Sequence, residues 1–306
     1  MPQGSILGPI LFLLYINDFC QAVNSGSQIL FADDATYYES DHSYEILLNR
    51  VNSNLVLIHE WFIANRLSIN IVKTESMLFC RNLVYFPMSP VILNGIEIGF
   101  SYTLKFLGLQ VDFKLNWKTH IFKVRNKLSQ ACGVMYQLRN KLTPTIARMI
   151  YMTLVLPYLN YCNVIWTSCS PSYLQPLVAT QKKFIRIMTK SRRLAPTLPL
   201  FIRLKILKLK DLNELNTAIF VFKSLYGIIP SPIEYQERIL EPYNLRNVNP
   251  LVVPFSRSSQ TQRFVHSRGA TLWNSLPIHL RSARTLLTFK RKLKQSYLDS
   301  YFEENA

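Results

Sequence analysis

The sequence lacks the features of secreted and of membrane-spanning proteins. Its five cysteines are odd in number and no two of them form a C-x-x-C pair, so a disulfide framework is not indicated. Reduced thiols in an intracellular protein, nuclear or cytoplasmic, are expected instead. The longest apolar run, residues 6–16, is interrupted by Gly8 and Pro9, whereas a membrane-spanning helix needs about 20 apolar residues. The turn-like residues that follow Met1 at once do not resemble a secretory signal.

Acidic residues are scarce in the second part of the chain, and this asymmetry is the strongest signal in the composition. Residues 1–116 contain 6 Lys and Arg against 10 Asp and Glu, a net charge of −4, whereas residues 117–306 contain 29 against 8, a net charge of +21. Between Lys182 and Lys210 there are ten basic residues and no acid. This balance predicts a polyanionic partner, with an unliganded basic surface as the alternative. The candidate phosphate-binding residues are Lys182, Lys183, Arg186, Lys190, Arg192 and Arg193.

The first part of the chain alternates between helical and strand-like patterns, which indicates an α+β domain. Residues 5–23 are apolar nearly all round and predict a buried helix with Gly8-Pro9 in its first turn. The pattern predicts a second helix within residues 41–69. Strand signals follow at several places, the second of them around an Asn94-Gly95 turn. These strand segments are 76–80, 91–98 and 103–113.

After Trp117 the pattern becomes helical. Apolar residues from Ile121 to Leu142 step by three and four, which predicts a helix packing face. Further helices are predicted at 144–159, 172–188, 210–227 and 286–298, with a linker marked by Pro196 and Pro199 and an irregular stretch at 228–262. Burial is expected for Trp166, Phe184 and Trp273, in preference to base stacking. The expected organisation is an α+β part at 1–115, a helical part at 116–195 and a basic, partly irregular part at 196–306.

Two adjacent carboxylates, Asp33 and Asp34, lie between the strand-like runs 29–31 and 36–38. Taken alone, such a pair is most often an ordinary turn. Two like charges held at a rigid hairpin tip are costly unless a cation compensates them. Mg²⁺ takes one or two protein carboxylates together with substrate phosphates, and two such ions about 4 Å apart support in-line phosphoryl transfer. The pair therefore predicts half of a metal site, and the basic second part predicts its nucleic-acid substrate.

The stretch "PQGSILGPILFLLYINDF" followed by "FADD" resembles the B and C blocks of LINE-type reverse transcriptases, encoded by non-LTR retrotransposons. Residues 61–79 resemble the D block and residues 104–121 the E block, or primer grip. Residues 154–166 and 269–281 resemble the region beyond the palm. The resemblance implies the C-terminal part of a polymerase palm followed by a helical, basic, thumb-like region. It also implies an RNA-directed DNA polymerase whose partners are an RNA template, a DNA primer and dNTPs.

The resemblance also implies roles for individual residues. Asp33 would bind Mg²⁺ directly and Asp34 would be the second carboxylate, with two ions in the intact enzyme. Lys73 would neutralise or protonate the leaving pyrophosphate. The remaining residues would contact substrate: Gln3 and Gly4 the incoming nucleotide and template base, and Phe106, Leu107 and Gly108 the primer end. Each has a simpler alternative: a helix N-cap at residues 2–5, a solvated lysine at 73 and a core strand with a glycine at 106–109.

One departure from the family pattern bears on activity. The family carries a further metal-binding aspartate in an earlier block, and the present sequence begins at the B block. Neither Asp18 nor Asp112 is a convincing substitute, so the isolated chain is expected to be inactive. The alternative function is a non-catalytic nucleic-acid-binding remnant of a retrotransposon. Binding to a membrane surface through the basic tail is disfavoured by its scattered polar residues.

Overall fold

A computed structural model describes residues 4–80, 89–231, 233–237 and 250–305 of the chain. The chain divides into two compact units, Met1–Leu104 (unit 1) and Lys105–Ala306 (unit 2). Both helices and small antiparallel sheets are present, so the predicted mixture of helix and sheet is confirmed. Within the described residues, no helix combines the length and the apolar content that a bilayer crossing needs.

The described residues of unit 1 form two helices, two hairpins and two short 3₁₀ turns. The confirmed Asn94-Gly95 turn joins β3 to β4, with left-handed φ values of 49° and 73°. The strand predicted at 76–80 is wrong, because only an isolated bridge between Ser76 and Phe100 forms there. The elements are α1 (Gly8–Ile16), a 3₁₀ turn (Asn17–Gln21), β1 (Ser27–Phe31), β2 (Asp34–Tyr38), α2 (Tyr44–Ala64), a 3₁₀ turn (Ile71–Lys73), β3 (Val91–Leu93) and β4 (Ile96–Ile98).

The core of unit 1 is built on both sides of α2. On one side Ile16, Phe19 and Ile58 are buried together, and the Phe19 ring meets the Trp61 ring edge to face at 5.0 Å between centroids. On the other side the β3–β4 hairpin buries three residues against Leu48 and Val51 of α2. These three are Val91, Leu93 and Ile98. Helix α2 therefore connects the hairpin β1–β2 region to the hairpin β3–β4.

Helix α1 forms where predicted, but the expectation that it is buried is wrong. Only Ile16 of the helix is buried, while Ile10, Leu13 and Leu14 are 55%, 57% and 70% exposed. A helix that is apolar all round has no polar face to indicate which side meets solvent. Unit 1 covers one end of this helix and leaves an apolar surface of the kind that isolated soluble domains rarely expose.

Unit 2 is predominantly helical. The strands β5 and β6 form a hairpin, and β5 begins in the last residues assigned to unit 1. The remaining elements among the described residues of unit 2 are helices. The strands are β5 (Thr103–Phe106) and β6 (Leu109–Asp112). The helices are α3 (Lys118–Leu138), α4 (Pro144–Leu154), α5 (Leu156–Asn160), α6 (Asn163–Trp166), α7 (Pro171–Met188), α8 (Leu198–Leu204), α9 (Leu209–Leu225), α10 (Ser259–Arg263), α11 (Val265–Ser275), α12 (Ile278–Arg281) and α13 (Leu286–Asn305).

The core of unit 2 follows the predicted helix faces. Helix α3 packs on α7, and α9 packs on α11 and α13. The Phe222 ring of α9 stacks on Phe289 of α13 with centroids 4.8 Å apart. Five residues of the predicted α3 packing face are buried, namely Ile121, Val124, Leu128, Ala131 and Met135. The prediction is wrong at its end, because Leu138 is 37% exposed and Leu142 lies beyond the helix. Burial of the three large aromatics, Trp166, Phe184 and Trp273, is also confirmed.

Several predicted boundaries in unit 2 are wrong for local reasons. The helix predicted at 144–159 breaks at Val155, because Pro157 starts a new helix and cannot donate a backbone hydrogen bond within the old one. The strand predicted at 103–113 folds back on itself at Leu107-Gly108. Pro199 lies in the first turn of α8, where proline is well tolerated, and does not mark a linker. The final helix is longer than predicted and continues to Asn305.

Candidate functional site

The acidic pair lies at the tip of the β1–β2 hairpin. Phe31 pairs with Asp34 across the hairpin, so Ala32 and Asp33 are the two central residues of a tight turn. Ala32 adopts a left-handed φ of 53°, which a hairpin turn of this length requires. Asp34 is the first residue of β2 and Asp33 precedes it directly. The turn therefore presents two consecutive carboxylates from a short rigid loop.

The alternation of the strands places the pair away from the core. Leu30 and Tyr37 face inward and pack on the cluster of Ile16, Phe19 and Ile58. Phe31 and Asp34, being directly opposite each other, share the outward face. Asp33, Asp34 and Phe31 are all exposed, and both carboxylates are accessible to a ligand. Because both carboxylates are exposed to solvent, the repulsion between them is weaker than it would be in a buried site.

A hydrogen-bond network fixes the base of the hairpin to α2. The side-chain amide of Asn54, a buried residue, donates to Tyr37 Oη at 2.8 Å and to Ser25 Oγ at 2.9 Å. Tyr37 and Ser25 each donate in turn to Glu39 Oε2 at 2.8 Å. Arg50 of α2 lies 3.9 Å from Glu39 and 3.1 Å from a carboxylate oxygen of Asp41. The carboxylate tip is thus carried by a hairpin whose opposite end is anchored.

The network shifts the ionisation of its members in opposite directions. Burial, with the hydrogen bond to Glu39, raises the pKa of Tyr37 to about 12. Burial alone would raise the pKa of Glu39. Hydrogen bonds from Ser25 and Tyr37, together with the charge of Arg50, outweigh it and lower that pKa below its ordinary value. At neutral pH the anchor therefore consists of a neutral phenol that donates to a charged carboxylate.

The donor set fits part of a divalent-cation site. Within the described residues, no group of three or more His, Cys, Asp or Glu side chains is arranged to hold a metal ion. Asp112 is occupied otherwise, because its carboxylate accepts the backbone N–H groups of Lys114, Asn116 and Trp117 at 2.7–3.2 Å. Two hard oxygen donors at an open tip suit Mg²⁺, which completes its shell with water and substrate phosphates.

The other predicted catalytic and substrate-binding residues of unit 1 are distributed over separate elements. Gln3 lies outside the described residues. Gly4 is exposed with a left-handed φ of 92°. Lys73 ends the second 3₁₀ turn with its side chain exposed, and Asn70 caps this turn by accepting the Lys73 backbone N–H at 3.2 Å. The exposed lysine is available for an anionic ligand, and its role stays a prediction.

The three predicted primer-contacting residues form a tight turn in unit 2. Leu107 and Gly108 connect β5 to β6 and both are left-handed, with φ values of 44° and 87°. Phe106 and Leu107 are half-buried, whereas Gly108 is exposed. The interpretation of Gly108 as a glycine within a strand is therefore wrong. The turn holds consecutive residues in a defined shape at the edge of unit 2.

Unit 2 carries nearly all of the positive charge. It holds 31 Lys and Arg against 9 Asp and Glu, a net charge of +22, whereas unit 1 holds 4 against 9, a net charge of −5. Residues 113–210 contain 18 Lys and Arg and no acid at all. Fifteen of these 18 are exposed. Lys208 pairs with Glu304 and Lys210 with Glu214, both from outside this segment. The large remaining excess of cations produces a positive potential over this part of unit 2.

The six predicted phosphate-binding residues fall into two groups. Lys182 and Lys183 are exposed on α7, and Lys190, Arg192 and Arg193 are exposed just beyond its end. Arg186 is half-buried, and its Nε donates to the Ala195 carbonyl at 2.8 Å. Arg186 therefore closes the loop after α7, while the other five remain available to a ligand.

Sequence reasoning did not assign the exposed cations of α3 to binding. Lys118 and Arg125 lie on one side of the buried residues of this helix, Lys123 and Lys127 lie on the other side, and all four are exposed. The helical spacing places them off the packing face but does not by itself assign them to binding. The absence of acid from residues 113–210 was the signal that could have found them.

Comparison with known proteins shows which proteins the chain is similar to. Residues 1–111 match the family described as reverse transcriptase (RNA-dependent DNA polymerase). The probable RNA-directed DNA polymerase from transposon X-element of Drosophila melanogaster is 28% identical over 196 residues, which are 62% of this chain and 21% of the relative. The RNA-directed DNA polymerase from mobile element jockey of Drosophila funebris is 24% identical over 221 residues, 69% of this chain and 24% of the relative.

A third relative is a Pol polyprotein from type-1 retrotransposable element R1 of Bradysia coprophila, 28% identical over 170 residues, 54% of this chain and 17% of the relative. No solved structure matches the chain significantly. Residues 1–111 are therefore similar to reverse transcriptases. Two of the three relatives are described as RNA-directed DNA polymerases of mobile elements, and the chain spans less than a quarter of the length of each of the three.

Proposed function

We propose that this chain is a segment of an RNA-directed DNA polymerase that adds dNTPs to a primer 3′-hydroxyl on an RNA template. The observation that carries the proposal is the exposed Asp33–Asp34 pair on an anchored hairpin within the segment that matches reverse transcriptases. In this proposal unit 1 is the C-terminal part of a palm, and the helices of unit 2 that follow the β5–β6 hairpin are a thumb-like region.

The residues have separate tasks in the proposed reaction. Asp33 and Asp34 would hold two Mg²⁺ ions in the complete enzyme, which activate the primer hydroxyl and neutralise charge on the transferred phosphate. Lys73 would contact the leaving pyrophosphate, and Gln3 and Gly4 the incoming nucleotide and template base. The turn of Phe106, Leu107 and Gly108 would hold the primer end. These assignments rest on the family resemblance together with the exposure of Asp33, Asp34 and Lys73.

The isolated chain is proposed to be catalytically inactive, because two carboxylates alone give an incomplete ligand set for two metal ions. Within residues 4–80, 89–231, 233–237 and 250–305 no third acidic or nitrogen ligand joins the pair. The experiment is primer extension by purified chain with Mg²⁺, dNTPs and a primed RNA template. We expect no template-dependent extension. Extension that disappears on Asp33→Ala but persists on Asp18→Ala would refute the inactivity and support the catalytic assignment.

A second candidate function is nucleic-acid binding without catalysis, and the acid-free residues 113–210 favour it. Duplex affinity should then fall steeply with salt, with a log–log slope of about −0.9 for each phosphate neutralised. Salt-dependent binding without primer extension by residues 1–306 would favour the non-catalytic nucleic-acid-binding protein, provided that a longer protein with any upstream coding sequence added also fails to extend the primer. Extension restored by upstream sequence would select the polymerase.

A further inference from the structure

The left-handed Leu107–Gly108 turn needs an external support. A residue with a β-carbon is strained at positive φ, because the β-carbon approaches the following carbonyl, and leucine has no side-chain polar group to compensate. Leu107 nevertheless has φ 44°. Glycine at 108 tolerates its own φ of 87° without this cost. The strain is therefore concentrated at Leu107, in the middle of the predicted primer-contacting residues.

Tyr161 lies beside both residues of this turn. Its phenolic O–H donates to the Leu107 carbonyl oxygen. Its ring lies 3.4 Å from the position that a β-carbon on residue 108 would take, so a β-carbon there would meet the ring at van der Waals distance. The Tyr161 side chain, which comes from outside the hairpin, thus hydrogen-bonds to the Leu107 carbonyl and lies beside Gly108.

Tyr161 itself is presented from a rigid corner between α5 and α6. Its backbone N–H donates to the Pro157 carbonyl at 2.9 Å, and its carbonyl accepts the indole N–H of the fully buried Trp166 at 2.8 Å. Asn163, also fully buried, accepts from the Asn216 amide of α9 at 3.0 Å. These hydrogen bonds hold Tyr161 against the helical core of unit 2, and its phenolic hydroxyl in turn holds the Leu107 carbonyl.

We propose that Tyr161 is a positioning residue that holds the Leu107–Gly108 turn in its left-handed form and thereby fixes where a primer 3′ end is bound. The inference rests on the proposed function, because that function supplies the primer. The side of the turn away from Tyr161 is held by β6, whose Leu109 and Val111 are buried and whose Gln110 N–H donates to His120 Nδ1 at 3.3 Å. Loss of the Tyr161 hydroxyl should therefore loosen the turn while β6 keeps the hairpin in place.

The test compares Tyr161→Phe with Tyr158→Phe, a matched control whose exposed ring lies one turn earlier on α5. Hydrogen exchange of the amides of residues 106–110 should accelerate about three- to tenfold in Tyr161→Phe, the effect of one hydrogen bond, and stay unchanged in the control. The acceleration should shrink in a Leu107→Asn background, because Asn-Gly adopts the paired left-handed conformation readily. Unchanged exchange in Tyr161→Phe would overturn the proposal.

A second measurement separates this proposal from the proposed function. A primer with 4-thiothymidine at its 3′ end, annealed to RNA and irradiated with the chain, should crosslink to residues 106–114. Tyr161→Phe should lower that yield at least threefold while total affinity stays within twofold. An unchanged yield would overturn the role of Tyr161 in holding the primer. No crosslink there even in the parent chain, with exchange still accelerated in the variant, would refute the primer site and leave Tyr161 as the support of the turn.

Discussion

The amide of Asn54 donates a 2.8 Å hydrogen bond to the phenol of Tyr37, and this contact joins the carboxylate-bearing hairpin of unit 1 to its longest helix. The two residues lie 17 positions apart in the sequence, on α2 and β2. Tyr37 passes the connection on to Glu39, so one buried amide organises the open end of the hairpin. This contact therefore anchors the hairpin that carries Asp33 and Asp34.

Replacing Asn54 should loosen the hairpin. Asn54→Ala leaves Tyr37 Oη and Ser25 Oγ without their donor, and we expect a loss of about 1–3 kcal/mol of unfolding free energy. Urea unfolding and hydrogen exchange of residues 27–38 would measure it. The matched control is Ser53→Ala on the exposed side of α2, where the hydroxyl bonds only to its own helix at Asn49, and it should change little. Equal effects of the two substitutions would contradict the anchoring role.

The stability of unit 1 should depend on pH through Glu39. Its pKa is lowered in the folded state, so the folded state gains stability above the unfolded pKa, near 4.5, and loses it as the pH falls through the lower folded pKa. Thermal unfolding between pH 3 and 7 should show this loss below about 4.5. Glu39→Gln should be less stable at pH 7 and flatter in its acid dependence. An identical acid slope in both proteins would exclude Glu39 as its source.

Two glycines of unit 1 separate backbone strain from steric collision. Gly26 and Gly95 have similar φ values, 78° and 73°, but a β-carbon at Gly26 would lie 2.7 Å from the Tyr37 ring whereas at Gly95 nothing lies within 4 Å. Gly95→Ala should cost about 1–2 kcal/mol from conformation alone. Gly26→Ala should cost more, because both the ring and the Tyr38 carbonyl are in the way. Chemical denaturation of the two variants would compare them, and a smaller loss at Gly26 would be inconsistent with this packing.

The face of α3 that carries Lys123 and Lys127 should contribute to the salt dependence of nucleic-acid binding. Neutralising Lys123 and Lys127 together, by substitution with Gln, should reduce the log–log salt slope on duplex by up to about 1.8, which is about 0.9 per phosphate contact. The charge-matched control replaces Lys290 and Lys292 of α13, which are exposed outside the acid-free residues. Fluorescence anisotropy across a salt series would provide both slopes. Equal reductions would mean that net charge, and not this face, determines binding.

Several parts of the candidate site could be predicted from the order of motifs along the chain. The hairpin turn at Asp33, the Asn94-Gly95 turn and the packing face of α3 as far as Met135 were predicted correctly, because each depends on a local pattern of a few residues. The strand at 76–80 was not, because among the described residues only Ser76 forms a bridge, with Phe100. The turn at Leu107-Gly108 was also missed, because leucine is not a residue that local preference places at positive φ.

The sequence by itself determined the resemblance to reverse transcriptases, the acidic pair and the concentration of positive charge in residues 113–210, since these are properties of residue order and composition. Only the tertiary structure decided that α1 exposes most of its apolar surface, that Asp112 is used by the backbone and that Arg186 closes a loop. It also brought Tyr161 to the Leu107 carbonyl, 54 residues away. These features depend on which residues distant in sequence become neighbours, and local propensity carries no information about that.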